Sequence, residues 1–232
     1  MQIFYTPDIN GIEYVFSEEE SKHAIRVLRL EINNVINLVD GKGTMMEAVI
    51  TDAHPKRCKV LVTNVIKDYE KRPYHLHIAM SPLKNPDRYE WFLEKATEIG
   101  VDEITPLLSH HTEKKNINME RCNRIVESAM KQSLKAYHPL IHPLTKFEDL
   151  IKSNNLTTKL IATCEGERKK INECYNAGTK CLILVGPEGD FSTEEFQLAS
   201  QFGFTGITLG KSRLRTETAG IVVCNAISIL NQ

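Results

Sequence analysis

Leu182-Ile183-Leu184-Val185-Gly186-Pro187-Glu188-Gly189-Asp190-Phe191 reads as a strand that stops in a tight loop. An apolar run of this length, ended by Gly and Pro, is the pattern of a strand buried on both faces. Ser192 follows, with Glu195 three residues later, which marks the capped start of a helix. Residues 206–209 read as a second strand. Ile207-Thr208-Leu209-Gly210-Lys211-Ser212-Arg213-Leu214-Arg215-Thr216-Glu217-Thr218-Ala219 then leads through another glycine loop into a helix that starts near Thr216. Gly186 and Gly189 clear side chains from a place where a flat ligand or a second backbone can approach, and Pro187 stiffens the turn between them. Glycines at a strand end also simply make turns, and for the four residues 186–189 alone that is the simpler reading. Two such loops at strand ends add a second reading, a shared cleft.

Several nucleotide and hydrolase signatures are absent. The chain has no Gly-x-Gly-x-x-Gly after a strand, no Gly-x-x-x-x-Gly-Lys-Ser/Thr and no Gly-x-Ser-x-Gly. A helix N-terminus attracts anions, but Glu188 and Asp190 beside this one repel them. The loop therefore suits a neutral or cationic ligand.

The 232 residues have room for one large domain or two small ones, and 41% hydrophobic with 25% charged residues is ordinary for a globular protein. A net charge of -1 excludes bulk polyelectrolyte attraction, so any RNA binding must rest on local patches. The six cysteines form no C-x-x-C pair and read as reduced core residues of a cytosolic protein. Asp8 and Glu13 interrupt residues 1–16, which argues against a signal peptide there. The longest apolar run, 219–230, falls short of the roughly 20 residues of a membrane span and predicts a buried helix.

Taken in order, residues 3–5, 13–16, 35–39, 47–51 and 58–65 are short β-prone runs between turns such as Asn10-Gly11 and Asp40-Gly41, spacing that suits a small barrel over 1–70. A helix capped by Ser17 and ending near Leu30 interrupts them. It carries Lys22, His23, Arg26 and Arg29, a strip that fits RNA phosphates and equally a solvated face. Residues 67–73 read as a linker. Beyond it strands at 75–80, 103–108, 138–143 and 159–164 alternate with helices at 87–99, 119–134 and 147–152, which argues a parallel α/β sheet covered on both faces in a domain spanning 73–232. Ligands of such sheets bind beyond the carboxyl ends of the strands, where the Gly186 and Gly210 loops fall.

Gly186-Pro187-Glu188-Gly189, Leu209-Gly210 and Leu214-Arg215-Thr216-Glu217-Thr218-Ala219 together resemble the signature of the SPOUT-class RNA methyltransferases, and most of all the RsmE family of 16S ribosomal RNA (uracil-N3) methyltransferases. The resemblance runs along the whole chain. His23 with Arg26-Val27-Leu28-Arg29-Leu30 is similar to the family's PUA-like RNA-binding domain, with Asn33-Asn34 where the family usually has Gly-Asp. Asn tolerates the left-handed turn this position needs. Lys95 with Glu98-Ile99-Gly100-Val101 also resembles a family run, although an intrahelical charge pair accounts for Lys95 and Glu98. The resemblance implies an N-terminal PUA-like β-barrel, a C-terminal SPOUT domain with a trefoil knot, S-adenosylmethionine as the methyl donor, 16S rRNA of the small subunit as partner, a homodimer through the last helix, and a cytoplasmic location.

The same resemblance implies the site. The donor would rest on Thr163, Gly186, Pro187, Glu188, Gly189, Leu209, Gly210, Leu214, Thr218 and Ala219, largely through backbone. Lys22, His23, Arg26, Arg29, Lys84, Arg88, Lys131, Gln132 and Arg213 would meet RNA. Lys131 replaces an acid of the family pattern and Leu134-Lys135 its arginine, while Ser212-Arg213 displaces another arginine by one residue. A sulfonium methyl is already electrophilic, so no metal is required and alignment is the main task. Uracil N3 carries a proton at neutral pH. Arg215 can stabilise the anion on a uracil oxygen, and Glu217 is a candidate base whose simpler role is a first-turn acid at a helix N-terminus. The rival readings are a SPOUT enzyme acting on another base or on a ribose, a non-catalytic RNA-binding protein, and a nucleotide-using enzyme.

Overall fold

Short alternating runs and glycine turns put five strands in the first 66 residues of the computed structural model, which describes residues 2–153, 156–164 and 166–232. These are β1 (Ile3–Tyr5), β2 (Glu13–Val15), β3 (Val35–Val39), β4 (Met45–Asp52) and β5 (Lys59–Ile66), paired in the order β1-β3-β4-β5-β2. Only β1 and β3 run parallel. The two end strands, β1 and β2, are not paired with each other among the described residues, so the expected barrel takes the form of a five-stranded sheet. One cluster holds Phe4, Leu38, Ala48 and Val60 at its centre, with Tyr14 of β2 at its margin. Asn33 takes a φ of +71°, the left-handed turn that the Asn-Asn pair permits.

The first helix departs from expectation. Ser17 caps α1 (Glu18–Lys22), accepting the Glu20 N–H at 3.2 Å, but the helix widens at once into a π-helical turn over His23–Val27. The Leu28 N–H reaches back five residues to the His23 carbonyl, and Arg29 enters the left-handed region at φ +56°. The helix therefore closes before Leu30, and Arg26 and Arg29 are not a helical pair. Residues Met130–His138 complete this unit. Met130 and Ala136 are buried with Ile3, Val39 and Met45, and Tyr5 stacks on His138 at 5.4 Å.

The second unit comprises Arg72–Ala129 and Pro139–Gln232. Its elements are β6 (His75–Met80), α2 (Pro86–Ile99), β7 (Glu103–Leu108), α3 (Met119–Gln132, whose last turn belongs to the first unit), β8 (Leu140–Ile141), β9 (Thr145–Lys146), α4 (Phe147–Ser153), β10 (Thr158–Ala162), β11 (Lys169–Lys170), α5 (Ile171–Cys174), β12 (Lys180–Val185), α6 (Thr193–Gln201), β13 (Thr205–Thr208) and α7 (Thr216–Ile229). Every pairing is parallel, in the order β11-β13-β10-β12-β6-β7-β8, with β9 also on β7.

The pleat sends alternate side chains to opposite faces. Leu76, Ile78 and Met80 of β6, with Cys181, Ile183 and Val185 of β12, join α2, α3 and α7 in one core. Ala79, Leu182 and Leu184 join Phe147, Leu150 and Ala199 of α4 and α6 in the other. After β13 the chain returns across the sheet, and α7 packs on α2, β6 and β12. A Cβ at Gly220 would stand 2.7 Å from the Phe92 ring and 2.9 Å from the Met80 sulfur, so only glycine lets α7 lie this close. Four of the six cysteines are buried, Cys174 is half-buried and Cys164 is exposed, which corrects the expectation that all are core residues. Among the described residues no helix is long and apolar enough to cross a membrane.

Candidate functional site

Strand register builds the candidate site. β10 pairs with β12 on one side and β13 on the other, and Ala162 stands level with Val185 and Ile207. The loops beginning at Thr163, Gly186 and Leu209 therefore leave three adjacent parallel strands at nearly one level, on the carboxyl edge where open α/β sheets bind ligands. The two glycine loops read from sequence do come to one edge, with the Thr163 loop between them.

Asp190 fastens this edge. Its Oδ2 accepts from the Thr163 hydroxyl at 3.1 Å and the Cys164 N–H at 2.7 Å, and its Oδ1 accepts the Phe191 N–H at 2.8 Å. Its own N–H donates to the Pro187 carbonyl at 3.0 Å, and its carbonyl lies 3.1 Å from His111 Nδ1. The residue sits at φ +62°, which Asp adopts more readily than most. Sequence reasoning treated Asp190 only as a repellent of anions. An Asp directly after the loop glycine, ahead of a capped helix, was the available signal for a left-handed corner.

The glycines serve different ends. A Cβ on Gly186 would meet the Phe191 ring at 3.2 Å, and one on Gly189 would meet His111 Cβ at 3.2 Å, whereas Gly210 has open space around it and a φ of +113°. Pro187 is buried beneath the loop, Glu188 and Gly189 are exposed at its tip, and Leu209, Leu214, Thr218 and Ala219 are half-buried. Ser192 and Glu195 form the expected reciprocal cap on α6, and the second Glu195 oxygen accepts the His110 N–H at 2.7 Å. Cys164 is no nucleophile here. Desolvation, and then the Asp190 carboxylate, raise its thiol above the ordinary range.

Arg215 is the exposed N-cap residue of α7 and makes no side-chain cap bond. Glu217 in the first turn is 8% exposed, and its Oε1 stands 3.7 Å from Arg88 Nε. Two residues read separately, as a base candidate and an RNA contact, thus form an ion pair. Lys84 pairs with Glu113 at 3.2 Å in solvent, and Arg213 is exposed. Beside the turn into α2 lies a cavity of about 650 Å³ whose lining includes Leu83, Tyr89, Asn116 and Arg121. The Tyr89 hydroxyl is buried without a hydrogen-bond partner among the described residues, and burial raises its pKa well above the ordinary phenol. It remains a neutral donor. Lys95 holds Glu94 at 2.7 Å and Glu98 at 2.9 Å, the intrahelical pairing expected of it.

In the first unit Lys22, His23, Arg26, Arg29 and Gln132 are exposed. Lys22 pairs with Glu18 at 2.8 Å and Lys131 with Glu20 at 3.0 Å. The strip is therefore of mixed sign, because the acids that favour the α1 N-terminus also reach its lysines.

Residues 70–228 match the model of an RNA methyltransferase domain, and residues 16–63 match an RNA methyltransferase PUA domain. The chain is 30% identical to the ribosomal RNA small subunit methyltransferase E of Mesomycoplasma hyopneumoniae, over 85% of this chain and 86% of that one. A crystal structure described as a probable rRNA-methyltransferase from Porphyromonas gingivalis superposes with a TM-score of 0.94 at 40% identity, covering 100% of this chain and 98% of that one. The ribosomal RNA small subunit methyltransferase E of Neisseria gonorrhoeae, solved with bound S-adenosyl methionine, superposes with a TM-score of 0.88 at 28% identity, covering 100% and 98%.

Proposed function

The chain belongs to the RNA methyltransferase family of ribosomal RNA small subunit methyltransferase E, and from that premise we propose that it methylates uracil N3 in 16S RNA of the small ribosomal subunit. S-adenosylmethionine supplies the methyl group as an electrophilic sulfonium. The observation that carries the reading is the three-loop edge at Thr163, Gly186 and Leu209 held by Asp190, together with the donor bound in the Neisseria relative. The donor's sulfonium and ammonium suit a loop bearing Glu188 and Asp190, which would repel a phosphate. Gly186, Gly189 and Gly210 offer backbone to its flat adenine, and Leu209, Leu214, Thr218 and Ala219 line the apolar remainder.

This chain's residues then have two tasks. Fixing the donor and base in line removes orientational freedom from the reaction. Arg215, exposed at the α7 N-terminus, holds the developing charge on a uracil oxygen and so favours loss of the N3 proton. Glu217 anchors Arg88 and does not take the proton. Lys84, Arg88 and Arg213 meet RNA phosphates in this unit, as do Lys22, His23, Arg26, Arg29, Lys131 and Gln132 in the PUA-like unit.

We place the protein in the cytoplasm, as a homodimer. The dimer through α7 follows from the family resemblance; the helix itself turns Gly220, Val223, Cys224 and Ile227 inward and leaves Ile229 56% exposed. The trefoil crossing belongs to the same reading, since α7 must pass back from β13 to the β6 side. The deciding experiment is nucleoside mass spectrometry of 16S RNA from unmodified small subunits incubated with the protein and S-adenosylmethionine. We expect 3-methyluridine. A different methylated nucleoside, or no product despite donor binding, would move the target, and absence of both product and donor binding would leave a non-catalytic RNA-binding protein.

A further inference from the structure

Parallel strands covered on both faces are built from apolar side chains, yet one face of the second unit ends in imidazoles around a single carboxylate. His75 and His77 precede Ala79 on the α4–α6 face of β6, and Glu103 and Thr105 precede Leu107 on the same face of β7. Glu103 is in register with His77, and His142 follows β8 with its N–H donating to the Ile104 carbonyl at 2.8 Å. Three neighbouring strands thus each deliver one group to one spot.

We infer that His77, Glu103 and His142 form a binding site for a late first-row divalent metal ion, zinc first among them. One ligand atom from each lies within 4.8 Å of the others. Glu103 Oε2 is 2.5 Å from His142 Nε2 and 3.9 Å from His77 Nδ1. The second distance is too long for a hydrogen bond, and it leaves room for an ion between them. The outer contacts of such a site are already in place. His77 Nε2 lies 2.7 Å from the buried Thr105 hydroxyl, so its N–H can point there while Nδ1 keeps its lone pair for the metal. His75 Nε2 meets the remaining Glu103 oxygen, Oε1, at 2.7 Å and orients the carboxylate.

Two imidazoles, one carboxylate and one position left for water or a further ligand suit zinc, whereas magnesium and calcium prefer oxygen throughout. The Glu103 and His142 side chains are 27% and 32% exposed, which gives the ion a way in. Two donors each about 2.1 Å from a tetrahedral ion stand about 3.4 Å apart, so loading the site breaks the Glu103–His142 hydrogen bond, with the His142 ring backing away from Oε2 and the His77 ring closing in. The site lies toward the amino ends of β6 and β7, joined by the residue after the short β8, and away from the loops at Thr163, Gly186 and Leu209. Its role is structural, tying β6, β7 and β8 together at the sheet margin, and methyl transfer does not pass through it.

Tag-free protein stripped with a chelator tests this by zinc titration in a calorimeter and by cobalt(II) absorption. We expect one zinc per chain, undisturbed by excess magnesium, and a cobalt spectrum of nitrogen and oxygen ligation without sulfur charge transfer. His142→Ala should remove binding, and Thr105→Val should weaken it about 10- to 100-fold. No saturable zinc binding, binding unchanged in H142A, or sulfur charge transfer in the cobalt spectrum would each overturn the assignment, the last by placing the ion on cysteines. Circular dichroism checks that H142A folds, and if it does not, the wild-type cobalt spectrum decides alone.

Discussion

The two ends of the parallel sheet in the second unit are built by opposite means. The carboxyl end presents backbone, with Gly186, Pro187, Gly189 and Gly210 in loops that strand register brings level. The opposite end presents side chains, with His75, His77 and Glu103 set by the pleat on one face of β6 and β7 and His142 joining them from the end of β8. A ligand with flat and apolar parts is met by removing side chains, whereas an ion is met by converging lone pairs. One sheet can hold both because strand direction keeps them apart.

Substitutions at each end can break or sharpen this contrast. The largest effect is expected from Gly189→Val, which drives a branched side chain toward His111 on an exposed loop tip. Donor binding should vanish in calorimetry while the circular dichroism melt is kept, and a normal affinity would show that the loop tip is not the donor wall. Arg215→Ala should bind donor normally and lose about 100- to 1000-fold in turnover, measured by single-turnover transfer to RNA. Retained turnover would make Arg215 structural only.

Asp190→Ala removes all three bonds to the carboxylate and puts alanine in a left-handed corner, so it should cost about 2 kcal/mol in a denaturant melt and weaken the donor, whereas Asp190→Asn should cost less. Ser192→Ala loses the reciprocal α6 cap, worth about 1 kcal/mol by the same melt. At the other end, metal-free Thr105→Val should leave donor affinity within about twofold, as distant sites do. A larger change would mean that the two ends communicate.

Much of this architecture is legible from local pattern. The alternation of strands and helices, the Ser192–Glu195 cap, the left-handed Asn33 and the two glycine loops all depend on residues close in sequence. What was hidden depends on register between distant strands. β10 lies between the two loops only because it pairs with both β12 and β13, and Asp190 reaches Thr163 across that pairing. The Arg88–Glu217 ion pair and the meeting of His77, Glu103 and His142 are likewise long-range. A histidine inside a strand carries no periodic signal, so single positions could not announce the cluster. Residues 130–138 follow without a break from a helix of the second unit, and only packing shows that they complete the first.

The fastening of the 186–190 loop also bears on the energetics of ligand capture. Pro187 restricts its own φ, and Asp190 holds the neighbouring backbone by hydrogen bonds that need no ligand. A loop ordered in advance loses little conformational entropy on association. The heat-capacity change of donor binding should then reflect only the apolar surface that the donor and the preformed loop bury against each other, with no added folding contribution, and the association rate should carry no slow step of loop closure.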